Sequence, residues 1–254
     1  MANAFISGRR YPTGGGAAIP AGHQSFTANG TFTAPYTGVY TVAITAPVAK
    51  GGNGANGIDG SPGGNSYYDY AEAPTGGGAG GSAYIAPAPL IILVSLTQGA
   101  SVPITVNTSV SSFGGYGSFA AGTGGGNGTA GTQDASNPVA GVGGAGGSKP
   151  TPSSAGVLSA ITPTLPNITL TGGNGLQDKD SGSESLTSYQ LQMAVGGTPA
   201  VGFGNPGGRG GAGNPIVYAH GDNWAKWFEA NCGTGIQNGS AARAGRIDIT
   251  WGNQ

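Results

Sequence analysis

Two stretches of this 254-residue chain concentrate the side chains best suited to molecular recognition. "NSYYDYAEAP" sets Tyr67, Tyr68 and Tyr70 beside Asp69 and Glu72. "VYAHGDNWAKWFEANC" gathers Tyr218, His220, Asp222, Trp224, Trp227 and Phe228. Aromatic side chains on loops give large contact area with few torsions to freeze, and their flat faces stack on sugars. Tyr67, Tyr68, Tyr70, His220, Trp224 and Trp227 are therefore the candidate binding residues. A second reading makes the same aromatics internal, capping small local cores. The spacing of Trp224, Trp227 and Phe228 suits one buried face of a two-turn helix.

Catalysis requires titratable groups that converge, and here they are scattered. The carboxylates are Asp59, Asp69, Glu72, Asp134, Asp178, Asp180, Glu184, Asp222, Glu229 and Asp248. His220 and Asp222 could enter a Ser/His/Asp set, but no nucleophile elbow accompanies them. The expectation is a protein without enzymatic activity. Gly52–Gly54–Gly57 and Gly126–Gly128–Gly131 match G-x-G-x-x-G literally, yet neither leads into a helix, so no dinucleotide is expected. One cysteine, Cys232, with His23 and His220, gives no zinc-like spacing and no disulfide framework, and no cofactor or metal is implied.

Charge narrows the partners. Charged residues are only 7% of the chain, against ~25% in ordinary domains. The net charge is −1 and the densest basic cluster is Arg9–Arg10, so the phosphate neutralisation behind nucleic-acid binding is missing. No apolar run approaches the ~18 residues of a membrane span, and "MANAFISGRRYPTGGG" lacks a charged-then-apolar leader. Work outside a cell would then follow a route other than ordinary secretion, such as assembly into a virus particle and release by lysis.

What positions the aromatic stretches is glycine. The chain has 54 glycines and 17 prolines, a content usual in disorder, but 37% of its residues are hydrophobic, too many for a solvated coil. Glycine recurs every third residue at 51, 54, 57, 60 and 63, at 122, 125, 128 and 131, at 141, 144 and 147, and at 204, 207, 210 and 213. Three residues per turn is the period of polyproline II geometry, which forms no internal hydrogen bonds and so needs outside partners. Short rods from one chain, lying side by side with glycine at the contacts, would supply them. Glycine-rich loops on a β-sandwich and collagen-like pieces are the alternatives. The runs are short for collagen and hold few prolines, only Pro62 and Pro206.

Between the glycine runs lie strands. In "TGVYTVAITAPV", Tyr40, Val42 and Ile44 share one face, with Val39, Thr41 and Ala43 on the other. "LIILVSLTQGASVPITV" reads as a strand, a turn at Gln98–Gly99, and a strand with Val102, Ile104 and Val106 in phase. "NITL" and "PIVY" are shorter candidates, and "GRIDITW" alternates Ile247, Ile249 and Trp251. The expected class is mainly β, strands combined with polyglycine II rods and almost no helix.

Order along the chain adds a resemblance. "FTANGTFTAPYTGVYTVAITAPVAKGGNG", "GGSAYIAPAPLIILVSLTQGASVPITV", "SSFGGYGSFAAGTGGGNG" and "GRIDITWGNQ" resemble, in sequence, the glycine-rich domains of bacteriophage tail fibres and fibre-tip adhesins. In that family a Phe-Thr/Gly-Thr/Phe-Thr strand pair comes first, a hairpin and a second glycine run follow, and an aromatic ends the closing strand. The resemblance covers about residues 25 to 147 and 200 to 254. It implies a receptor-binding protein of the virion, assembled in the host cytoplasm, that holds a bacterial outer-surface protein or polysaccharide. A structural fibre or decoration protein without its own receptor is the alternative. Residues 1–24 are read as an attachment segment to another tail-fibre or baseplate protein, residues 25–254 as the glycine-rich domain, and 148–200 as an unassigned insert. A homotrimer, or a cap on a trimeric stalk, follows from the threefold symmetry of such fibres. A lattice-matching surface adsorber would need a more regular outer face than the mixed residues of the first run provide.

Overall fold

A computed structural model describes residues 20–56, 77–131, 139, 141–175 and 237–252, and the backbone pairing of 4–6, 9–11 and 204–205. The strands in chain order are β1 (Ala4–Ile6), β2 (Arg9–Tyr11), β3 (Gly22–Phe26), β4 (Gly30–Thr33), β5 (Gly38–Thr45), β6 (Ala83–Tyr84) and β7 (Leu90–Leu96). They continue as β8 (Ser101–Val106), β9 (Val110–Phe113), β10 (Gly117–Ala120), β11 (Thr151–Ser154), β12 (Ser159–Ile161), β13 (Gly204–Asn205) and β14 (Arg246–Trp251). Among the described residues there is no helix, and the class is mainly β.

Two five-stranded antiparallel sheets hold the core. One has the order β11-β10-β9-β8-β4, the other β12-β7-β5-β14-β3. Their inner faces meet where β5 lies against β9 and β10, and β14 against β8 and β9. Alternation decides what is inside: Tyr40, Val42 and Ile44 of β5 are buried, with Leu90, Ile92, Val94 and Leu96 of β7. Val102, Ile104, Val106, Phe113, Phe119, Ile247, Ile249 and Phe32 complete the layer. Each large side chain removed from water this way contributes roughly 1.5–3 kcal/mol. Phe32 sits among Tyr40, Phe113 and Trp251 at ring-centroid distances of 5.5, 6.0 and 5.9 Å.

The phases predicted for β5, β8 and β14 match the observed burial, while two predicted pairings do not. The strands around "FTANGTFT" were expected to pair, yet β3 and β4 belong to opposite sheets. β7 and β8, expected as a hairpin, are also in opposite sheets. The turn between them is an arch that crosses the sandwich. Gly99 (φ 82°) takes the positive-φ position of that turn, closed by the Ala100 N–H to the Thr97 carbonyl at 3.0 Å. The arch is tied to the chain after β4: the Gly99 N–H donates to Ala34 O at 2.8 Å, and the Ala34 N–H to Ala100 O at 2.9 Å. The buried Tyr40 hydroxyl closes the same end. It donates to Tyr36 O at 2.5 Å and accepts from the Tyr36 N–H at 3.2 Å.

Further pieces come from segments whose sequence pattern is faint. β11 and β12, within the span left unassigned, are the edge strands of the two sheets, beside β10 and β7. "NITL" is not a strand; its Leu170 is buried against Gly146 of a glycine segment. "PIVY" and the helical candidate around Trp224 lie outside the described residues.

Candidate functional site

Beyond the β5 and β14 ends, where Val48 and Arg243 exchange two 2.9 Å backbone hydrogen bonds, the chain enters a layer made almost without side chains. Among the described residues, six segments compose it: 51–56, 77–82, 121–131, 141–148, 170–175 and 237–242. No charged residue occurs in any of them. Their bonds run between segments and repeat every third residue. Gly52 and Ala55 donate to Gly81 and Gly78 at 2.9 and 3.0 Å, and Gly78 and Gly81 to Thr129 and Gly126 at 2.9 and 2.8 Å. Gly126 and Thr129 donate to Ala145 and Val142, and Gly144 and Gly147 to Ala79 and Ser82. Segment 77–82, buried throughout, bonds to four neighbours: 51–56, 121–131, 141–148 and 170–175.

Such proximity leaves no room for a side chain at the contacts. A Cβ on Gly80 would sit 2.8 Å from the carbonyl carbon of Asn53 and closer still to the Gly52 carbonyl. A Cβ on Gly144 would strike Gly126 in the same way. The triplet spacing has an observable counterpart in two runs, where Gly122, Gly125 and Gly128, and Gly141, Gly144 and Gly147, each present a bare Cα to an adjacent backbone; in 51–56 it is Gly52 that does so. Where an N–H finds no carbonyl, a side chain supplies the acceptor: a hydroxyl for Thr123, Val142 and Ser148, and an asparagine at three other positions. Asn127 Oδ1 accepts from the Asn53 N–H at 2.8 Å, Asn53 Oδ1 from Gly239 at 3.1 Å, and Asn174 Oδ1 from Gly143 at 2.9 Å. Sequence reasoning missed these three residues, although the recurring GGNG at 51–54, 125–128 and 172–175 marks them.

The layer has two ends. One set of bonds links Ala55 to Gly78, Gly78 to Thr129, Thr129 to Val142, Gly175 to Gly141 and Gly54 to Gln237. These residues adjoin the points where 57–76 and 132–138, the start of 176–203 and the end of 206–236 join the described chain, whereas Gly204–Asn205 between the last two spans pairs with β6. At the opposite extreme of the described residues, β14 pairs Trp251 with Tyr40 and Gly22. Tyr67, Tyr68, Tyr70, His220, Trp224 and Trp227 all lie outside the described residues, as does the run 206–213.

On the outer face of β3 and β14 a polar cluster forms that the sequence did not suggest. Ser25 donates to Asp248 Oδ1 at 2.5 Å, Arg246 grips the same oxygen at 2.6 and 2.9 Å, and His23 Nε2 stands 3.4 Å away. Partial burial pushes the Asp248 carboxyl up, but the hydrogen bonds from Ser25 and Arg246 and the nearby positive charges outweigh it and hold it below its ordinary value. The cluster has serine, histidine and aspartate, yet Ser25 Oγ at 3.2 Å and Asp248 Oδ1 at 3.4 Å face the same ring nitrogen, His23 Nε2, whereas the serine and aspartate of a catalytic triad bond opposite nitrogens.

No family model, curated protein or solved structure matches the chain.

Proposed function

We propose that this chain is a phage tail-fibre tip protein that adsorbs to a bacterial cell-surface receptor through aromatic segments carried on a scaffold of polyglycine II rods. The observation that carries the reading is the shared anchorage of the undescribed segments. Both flanks of 57–76 and the residue that follows 206–236 are joined by backbone bonds within one cross-section of the glycine layer, through Gly54, Ala55, Gly78 and Gln237, while Asn205, which precedes 206–236, pairs with Ala83 of β6. Those two spans hold Tyr67, Tyr68, Tyr70, His220, Trp224 and Trp227. A frame bonded by its backbone, with no charged side chain, tolerates sequence change in the spans it carries, which suits recognition. The three-residue recurrence of donors supports the rod geometry.

The sandwich fits the role of a base, with Pro20 leading into β3 beside the end of β14. In this reading residues 1–24 join another fibre or baseplate protein, and the partner of the far end is an outer-surface protein or polysaccharide. The test is adsorption of labelled, purified chain to bacterial cells, comparing wild type with Tyr67→Ala and Trp224→Ala. Saturable binding lost in these variants, with unchanged melting temperature, is the expected result. Wild-type protein that binds no cell yet incorporates into particles would support the structural alternative.

A further inference from the structure

Each GGNG repeat contains an Asn–Gly pair, the dipeptide most open to side-chain cyclisation because glycine does not hinder its own nitrogen. The glycine nitrogen attacks the asparagine Cγ, ammonia leaves with the proton, and a succinimide forms. Water then opens the ring at either carbonyl, giving aspartate or isoaspartate. The chain has six Asn–Gly pairs, at Asn29, Asn53, Asn56, Asn127, Asn174 and Asn238.

In three of them, both reacting groups are held by the glycine layer. The nucleophilic nitrogens are occupied: Gly54 N–H donates to Gln237 O at 3.1 Å, Gly128 N–H to Asn53 O at 2.9 Å, and Gly175 N–H to Gly141 O at 2.8 Å. The side-chain amides are fixed as acceptors for Gly239, Asn53 and Gly143. Attack requires the nitrogen to lose its proton and the Asn χ torsions to turn Cγ toward it. Both requirements mean breaking these bonds.

We propose that Asn53, Asn127 and Asn174 are latent modification sites, silenced by the assembled glycine layer and exposed to deamidation only when it opens. The reaction is one-way in its structural effect. Isoaspartate inserts an extra methylene into the main chain, which breaks the three-residue register on which the bonds depend. Aspartate places a charge among described segments that hold none. The layer's integrity thus sets the working lifetime of the protein, independently of what its aromatic segments bind.

The full chain is incubated in mildly alkaline buffer, native and in denaturant, and each Asn–Gly peptide is followed by mass and by isoaspartate content. At Asn53, Asn127 and Asn174 deamidation is expected to be slower in the native protein by about tenfold or more, as for any reaction that must await local opening. Equal rates in the two conditions would overturn the proposal. Gly78→Ala, whose Cβ would collide with Val142 O, should speed the reaction at Asn127 and Asn174 under native conditions. Should that variant not fold, wild type in urea below its unfolding transition provides the same comparison. Rates that stay slow when the layer is opened by either means would refute the assignment of protection to these bonds.

Discussion

Gly80→Ala tests the glycine layer with the smallest possible change. In ordinary positions Gly→Ala stabilises by about 0.4–1 kcal/mol, through the unfolded chain. At Gly80 the new methyl would lie 2.8 Å from the Asn53 carbonyl carbon and nearer to the Gly52 carbonyl, both backbone and neither able to swing aside. Relief requires segments 51–56 and 77–82 to part. The bonds between them, Gly52 to Gly81 and Ala55 to Gly78, are 2.9 and 3.0 Å long. Overpacking of this kind costs roughly 1–3 kcal/mol, and stretching two buried backbone bonds adds about 1 kcal/mol each. The expected loss is about 3–5 kcal/mol, or on the order of 10 °C in melting temperature for a chain of this size. Gly115→Ala is the control: nothing lies within 4 Å of its added Cβ, and it should be neutral or slightly stabilising. Calorimetry of the two variants beside wild type decides. Equal stability of Gly80→Ala and Gly115→Ala would refute close backbone packing as the reason for glycine here.

Tyr40→Phe removes a hydroxyl that bonds both the N–H and the carbonyl of Tyr36; a loss of about 1–3 kcal/mol in urea unfolding is expected, without change of fold. Asp248, its carboxyl held low by Ser25 and Arg246, contributes stability present above its ordinary value and lost as pH falls through the lower folded value. Wild-type urea midpoints should therefore drop below about pH 4, and Asp248→Asn should flatten that part of the curve. A wild-type profile identical to that of the variant would contradict it. Light scattering of the full chain should give a trimer, or a monomer that becomes threefold only on a fibre partner; a stable dimer fits neither.

The strands were legible where half-burial forces alternation. Tyr40, Val42 and Ile44 announce one buried face of β5, and Ile247 and Ile249 one of β14. Alternation identifies a face, not a partner, and so the sheet assignment of β3, β4, β7 and β8 could not be read. A turn such as Thr97–Ala100 closes an arch across the core as readily as a hairpin within a sheet. β11 and β12 were invisible because "TPSS" and "SAI" are exposed edge strands with no apolar rhythm. In the glycine layer the period was plain, but the acceptor role of Asn53, Asn127 and Asn174 depends on which segments adjoin, a long-range property. The aromatic candidates follow from residue type and clustering in the chain, and they lie outside the described residues.

Amide hydrogen exchange of the native chain tests most directly whether the glycine segments hold one another by their backbones. The account predicts slow exchange in pairs three residues apart: Gly52 with Ala55, Gly78 with Gly81, Gly125 with Gly128, Gly144 with Gly147 and Gly172 with Gly175, all donors across segments. Uniformly fast exchange at these ten amides, beside protected strands β5 and β14, would contradict it.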